Sequence, residues 1–264
     1  MKLFIMIILL VTSIVAKDFI SRYDVNIGMF GKIGYIDLIV KEDKNSYEIK
    51  VIAKTIGTVA TLTKDREELF TSKGKIVDGK YVPDVFIKTR TTNYKNRVQT
   101  YVFNHEIKEI VMTQNNSELV SSTNFDPIAF KLVKKYSTEE STKVKVLDRY
   151  NANDVLSAYL NAKISCNKNA KDYPLLAVGA KNHENNVILT FLEGVDKTDA
   201  IASFSNDTSD VYNLHVEPTD KDKTIVDILI AFDNDGHMKE AYLGDIFWVG
   251  EVRAKRVYKR LGSN

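Results

Sequence analysis

The sequence predicts a mainly β protein. Antiparallel meander sheets form one curved-sheet or barrel-like body, with one short helix near residues 153–163. Three observations carry this expectation. Apolar and polar residues alternate with a period of two through much of the N-terminal half, as strands with one buried face require. Gly, Asn and Asp interrupt the alternation at short intervals, where hairpin turns need them. Apolar residues recur at clear helical spacing only after Asn153.

Tyr23, Val25 and Ile27 open the first strand, alternating with Asp24 and Asn26. Gly28, Gly31 and Gly34 mark the turn around Met29-Phe30-Gly31-Lys32. Ile33, Tyr35, Asp37 and Ile39 share a face of the second strand, and Asp43-Lys44-Asn45 forms the next turn. Tyr47, Ile49, Val51 and Ala53 alternate with Glu48, Lys50 and Ile52 in the third strand. Further strands run from Glu67 to Ser72, Tyr81 to Thr91, Arg97 to Asn104 and Ile107 to Thr113. Val77-Asp78-Gly79-Lys80 and Asn104-His105-Glu106 are the hairpin connections.

Gln114 to Asp126 is polar without periodicity and is expected to be a loop. Short strands follow near Phe130–Val133 and Lys143–Leu147. Asn153 suits a helix N-cap with Asp154 in the first turn, and Val155, Leu156, Tyr159 and Leu160 make an apolar stripe reaching Ala162. Asp199 to Phe204 suggests a short second helix. The rest returns to strands: Leu175–Ala180, Asn186–Leu192, Val211–Glu217, Thr224–Phe232, His237–Gly244 and Ile246–Tyr258. With four prolines and no Pro/Ser/Gly-rich linker, residues 17–264 are expected to form one β-rich domain. A subdivision near 115–150 is the alternative.

Met1 and Lys2 precede an apolar run from Leu3 to Val11, and the segment ends at the small residue Ala16. A positive start, a short apolar stretch and a small residue at the cut describe a secretory signal. Lys17 and Asp18 stop the run well short of the roughly 20 apolar residues of a spanning helix. Residues 1–16 are therefore expected to be a cleaved signal peptide, leaving a mature chain without a transmembrane segment, in the periplasm. The lone Cys166 can form no internal disulfide and sits in a polar stretch, so it is expected to be an unreactive thiol.

Four stretches carry a family resemblance. They are Tyr23-Asp24-Val25-Asn26-Ile27-Gly28 with Gly31 and Gly34, and Tyr47 to Gly57 leading to Asp65-Arg66-Glu67-Glu68. Asp154 to Tyr159 is the third, and Phe232 to His237 with Gly244 to Val252 is the fourth. In order and spacing the chain resembles the exported bacterial proteins of the domain-of-unknown-function 3108 family. The resemblance implies export to the bacterial envelope and a mainly antiparallel β fold. It implies no activity and no catalytic residues. The polar stretch from Gln114 to Thr123 departs from the family pattern.

Charge narrows the function. Lys plus Arg number 37 and Asp plus Glu 35, a formal net charge of +2, too even for a general nucleic-acid binder. Asp233-Asn234-Asp235-Gly236 resembles a calcium loop only in its middle, since Ala231 and Tyr242 occupy the outer ligand positions; it is expected to be a hairpin turn. His105, His183, His215 and His237 are scattered, and no nucleophile elbow, P-loop or dinucleotide fingerprint occurs. Glu67, Glu68, Glu139 and Glu140 lie in hydrophilic runs that suit solvated faces. The basic residues say more. Lys88, Arg90, Lys95 and Arg97 occupy adjacent strands of one hairpin, and Arg253, Lys255, Arg256, Lys259 and Arg260 crowd the last strand. The acid that balances them lies elsewhere, as at Asp220, Asp222 and Asp227. Arg forks suit phosphate and carboxylate groups, so Lys88, Arg90, Arg97, Arg253 and Arg256 are the candidate ligand-binding residues; the bland alternative is solvated strand faces and guarded edges.

The expected function is therefore binding rather than catalysis. A non-enzymatic envelope protein would hold an amphiphilic or anionic lipid, glycan or protein component against the curved sheet, with no cofactor, metal or nucleic acid. The 13 Tyr, 12 Phe and 1 Trp would line a concavity. A structural or assembly partner acting through a sheet edge or the basic strips is the second reading, and a hydrolase built from distant residues the third.

Overall fold

The period-two stretches form strands, and each pairs with its neighbour in the chain except across the central helix. The computed structural model describes residues 18–165, 172–175, 177–179, 187–204, 210–216, 226–233, 237–246 and 250–261. The strands before the central helix are β1 (Phe19–Ile27), β2 (Gly31–Asp43), β3 (Ser46–Thr55), β4 (Glu67–Val77), β5 (Lys80–Thr91), β6 (Lys95–Asn104), β7 (Glu109–Asp126) and β8 (Lys131–Val146). After it come β9 (Asp172–Leu175), β10 (Val187–Phe191), β11 (Asp210–Val216), β12 (Val226–Phe232), β13 (Met238–Ile246) and β14 (Gly250–Leu261). The helices are α1 (Gly57–Leu62), α2 (Val155–Ser165) and α3 (Gly194–Ile201).

All strands join one 14-stranded antiparallel sheet in the order β8-β7-β6-β5-β4-β3-β2-β1-β14-β13-β12-β11-β10-β9. The first and last strands pair along their length, from Phe19 opposite Leu261 to Ile27 opposite Val252. The two meanders spread to either side of this seam. The sheet stays open, with β8 and β9 at its edges, and α2 lies in the chain between them. The expectation of a mainly β body built from antiparallel meanders thus describes the molecule, as an open sheet.

The inner face is set by alternation. Tyr23 and Val25 of β1, Ile36, Leu38 and Val40 of β2, Ile49 and Val51 of β3, Phe70 of β4 and Phe86 of β5 are all buried. Fully burying one such side chain contributes about 1.5–3 kcal/mol. A bulge between Lys73 and Gly74 resets the register of β4 on β5; a Cβ at Gly74 would lie 2.0 Å from the Val82 carbonyl oxygen, so only glycine fits.

Helix α2 does not present the single apolar stripe its spacing suggests. Val155, Leu156, Ser157, Ala158, Tyr159 and Leu160 are all buried, as for a helix enclosed rather than laid on a surface. Its cap also lies one residue later than the sequence suggests. The Asp154 carboxylate accepts the Leu156 and Ser157 amides at 2.7 and 3.1 Å, and the Ser157 hydroxyl accepts the Asp154 amide at 3.0 Å. This reciprocal capping box assigns the cap to Asp154, not Asn153.

The largest correction falls on Gln114–Asp126, which is not a loop but the outer part of the 18-residue strand β7. It pairs with β8 throughout, from Gln114 opposite Lys143 to Asp126 opposite Lys131. Beyond Glu118 it has left β6 behind, so neither face of this two-stranded ribbon is buried against a sheet or helix and no alternation was required of its sequence. Other differences are smaller. The strand expected at Leu175–Ala180 occupies Asp172–Leu175, the short helix covers Gly194–Ile201 rather than Asp199–Phe204, and the six-residue α1, with no side-chain cap, carried no sequence signal. No described helix is long and apolar enough to cross a membrane. Residues 1–16, Cys166, His183, Asp220, Asp222 and positions 234–236, on which several sequence expectations fall, lie outside the described residues.

Candidate functional site: a basic cluster on the inner face

Strand register brings the basic residues of the β5–β6 hairpin together. Across four strands Lys88 stands in line with Gln99, Gln114 and Lys143, and in the next row Glu68, Arg90, Arg97, Asn116 and Ser141 align. Facing residues share a side of the sheet, so both rows lie on the inner face. Lys88 continues the parity of buried Phe86, and Glu68 that of buried Phe70. These are not the solvated strand faces that charged residues usually make.

Glu68 is completely buried and its carboxylate serves two guanidinium groups. Arg66 donates to Oε1 through Nε at 3.0 Å and again through a second nitrogen, and Arg90 Nε donates to the same oxygen at 2.6 Å. The other oxygen, Oε2, is buried without a hydrogen-bond partner. Arg97, directly opposite Arg90, turns to Asn116 and donates to its amide oxygen at 3.1 Å. Lys88, 8% exposed, lies 5.4 Å from the Phe70 ring centroid and 3.4 Å from the Gly179 carbonyl. Burial pushes the Lys88 ammonium down to about 8; Glu68 pulls it up, while Arg90, Arg66 and Arg97 push it further down. Four cations therefore gather around one carboxylate, with two arginines facing each other across a strand pair, an arrangement that costs stability on its own.

The floor of the cluster is built by the segment around Gly179, which backbone hydrogen bonds of Val178 tie to the start of α2. Tyr47 donates to Ser72, 3.1 Å away, and Ser72 donates to the Asp154 carboxylate at 2.6 Å, tying β3 and β4 to the start of the helix. Burial pushes the Asp154 carboxyl up to about 6, although Ser72, Ser157 and Leu156 oppose it. Gly179 meets Phe86 so closely that a Cβ would lie 2.3 Å from the ring, and its φ is +96°. Toward the β4–β5 turn, Asn161 of α2 accepts the Tyr81 amide and donates to the Tyr81 carbonyl, both at 2.8 Å. The helix thus occupies the end of the inner face remote from the arginines.

Arg253 and Arg256 do not join this site. Arg256 donates to Asp233 at 2.7 Å and to the Met238 carbonyl at 3.0 Å, with Lys259 on the same carboxylate at 3.1 Å. Burial tends to raise the Asp233 carboxyl, but the His237 amide, Arg256 and Lys259 outweigh it and hold it at about 2. Arg253 points to the outer face, where it pairs with Glu240 and donates to the Ser203 carbonyl at 2.7 Å. Adjacent positions on a strand face opposite sides, so the last strand's basic strip is split between two surfaces, with Asp233 on one and Glu240 and Glu251 on the other.

The sequence reading passed over Arg66 and placed Glu68 among solvated carboxylates. The missed signal is parity: residues 66 and 68 continue the buried face of Phe70 and Ser72. The aromatic residues expected to line a concavity instead pack on one another, as in Phe70–Phe86 at 6.3 Å and Phe86–Tyr101 at 5.8 Å between centroids. A cleft of about 500 Å³ does exist, on the opposite face between α3 and β11–β13, lined by Leu192, Asp196, Asp199, Asn213, Asp227 and Tyr242. His215 bonds Asp227 there at 2.7 Å, while His105 bridges Tyr150 at 2.5 Å and the Pro83 carbonyl at 2.7 Å. Among the described residues no group of three or more His, Cys, Asp or Glu is arranged to hold a metal ion.

The model of the family described as "Protein of unknown function (DUF3108)" matches residues 22–164, which contain the whole basic cluster. No curated protein matches the sequence. Among solved structures, a β-barrel-like protein of domain of unknown function DUF1849 from Brucella abortus is similar at 11% identity with a TM-score of 0.42, over 95% of this chain and 100% of that one.

Proposed function

The chain belongs to the DUF3108 family, and from that premise we propose that it is a non-enzymatic periplasmic protein that binds an anionic, amphiphilic component of the cell envelope on the inner face of its sheet. The observation that carries the reading is the charge imbalance at Arg66, Lys88, Arg90 and Arg97, met among the described residues by Glu68. Burying unmatched cations costs several kcal/mol each in principle, and such a cost is retained where an anion will share the site. Arg90 and Arg97 offer forked donors suited to a carboxylate or phosphate. Phe70, Phe86 and Tyr101 lie beside them, packed on one another in the core, so a hydrophobic portion would enter by parting that packing. The reading of residues 1–16 as a secretory signal supports an envelope location for this chemistry.

Titration with a dansyl-labelled fatty acid, and with the matching fatty alcohol, tests the proposal. The acid should bind at least tenfold more tightly than the alcohol to the native protein. Arg90→Gln with Arg97→Gln should remove that preference and leave alcohol binding unchanged. Equal binding of acid and alcohol to the native protein would overturn the reading. Native mass spectrometry of protein from its own envelope would then identify the natural occupant.

The second reading, assembly through a sheet edge, draws on β8. Among the described strands its 16 residues pair with β7 and leave one edge open, although Lys131, Lys134, Lys135, Lys143 and Lys145 stud it as charges do that guard an edge against strand addition.

A further inference from the structure

The β7–β8 ribbon projects from the sheet at the end where the arginines lie. Lys95–Glu118 is the last pair joining β6 to β7, and Leu119 still donates its amide to Tyr94. From Val120 to Asp126 the strand has only β8 beside it. At about 3.3 Å per residue, the ribbon reaches some 20 Å past its neighbours.

Its tip is apolar, exposed and held in shape. Ile128 is 97% and Phe130 83% exposed, and Phe125 and Leu132, a facing pair, are exposed beside them. Single exposed apolar residues are commonplace, but four at the end of one projection are not. The turn is fixed locally: the Asp126 carboxylate accepts the Ile128 and Ala129 amides at 2.9 and 3.0 Å. Phe125 and Phe130 meet edge to face at 5.3 Å, so the tip is a preformed wedge.

Charge runs along the ribbon. Lys131, Lys134 and Lys135 follow the wedge, while its one carboxylate, Asp126, is engaged in the turn. Glu118, Glu139 and Glu140 sit back at the base, with Lys95 on Glu118. A tip that is apolar at its apex, basic just behind and acidic only at its root is complementary to an anionic lipid surface, where apolar side chains enter the acyl boundary and lysines meet headgroups.

We propose that residues 125–135 form a membrane-docking wedge that seats the protein reversibly on anionic lipid bilayers. The inference is independent of the inner-face ligand, although the wedge leaves the sheet at the same end as the basic cluster.

Flotation with vesicles tests it, using phosphatidylglycerol and phosphatidylethanolamine in one set and phosphatidylcholine in the other. The native full chain should float with the anionic set and bind phosphatidylcholine at least tenfold more weakly. Ile128→Ser with Phe130→Ser should abolish flotation while leaving the thermal transition unchanged, because both side chains are already in water. Lys131→Gln with Lys134→Gln and Lys135→Gln should cost about a hundredfold in apparent affinity for the anionic set. Arg90→Gln with Arg97→Gln should float normally, which separates this result from failure of the inner-face site. Absence of flotation by the native protein, or flotation indifferent to the tip substitutions, would overturn the proposal. So would a native dimer that the Ile128 and Phe130 substitutions convert to monomer without any lipid binding, which would assign the wedge to a second copy of the chain.

Discussion

Replacing Lys88 with methionine should stabilise the free protein while removing a cation from the inner-face site. Methionine keeps an unbranched stem of similar length against Phe70 and Phe86 and removes only the buried charge. Burial lowers the Lys88 ammonium from 10.5 to about 8. At about 1.4 kcal/mol per unit, the penalty is on the order of 3 kcal/mol when the group is protonated in both states. The lost hydrogen bond to Gly179, long at 3.4 Å, offsets little of this. The unfolded chain holds the Lys88 proton up to 10.5 and the folded chain releases it near 8, so native stability rises as pH climbs through that window. Lys88→Met should therefore exceed the native protein by about 3 kcal/mol at pH 7 and lose that advantage toward pH 10. Urea unfolding of both proteins at the two pH values measures the gap, and taking the difference removes the other lysines and tyrosines that titrate there. A variant no more stable at pH 7, or a gap that stays constant with pH, would refute the desolvation argument and weaken the case for a site kept at the expense of stability.

Two further outcomes follow from the floor of the site. Asp154→Ala should cost about 2 kcal/mol or more in urea unfolding, since it removes the helix cap and strands the Ser72 hydroxyl. Because burial lifts the Asp154 carboxyl from 3.8 to about 6, the folded chain binds the extra proton and native stability falls as pH rises between those values; Asp154→Asn should flatten that slope. Gly179→Ala should lower the thermal transition by an amount equivalent to about 1–3 kcal/mol, because its φ of +96° and the Phe86 ring both exclude a Cβ. An unchanged transition would mean that this segment does not pack against β5.

The sheet was legible because burial of one face writes itself into alternate residues. Tyr47–Ala53 and Tyr23–Ile27 show the pattern at its clearest, and both are strands with that face inside. The ribbon from Val120 to Ser137 was illegible for the same reason inverted: with water on both sides, nothing selects alternation, and its Ser, Thr and Asn content resembles a loop. Helix α2 was found by its spacing, yet burial on every side could not be inferred while its partners in β4 and β5 were unplaced.

The basic residues divide in the same way. Lys88, Arg90 and Arg97 were visible as a cluster because hairpin neighbours in sequence are neighbours in space. That they face inward, that Arg66 and Glu68 join them, and that Arg256 is taken by Asp233 depended on register across strands far apart in the chain. The sequence by itself determined an antiparallel meander and one central helix, since those follow from local periodicity and turn chemistry. Only the tertiary structure decided which charges are buried together and which lie on opposite faces. A shift of one residue in register reverses every side chain, and no local pattern records that choice for a lysine or an arginine.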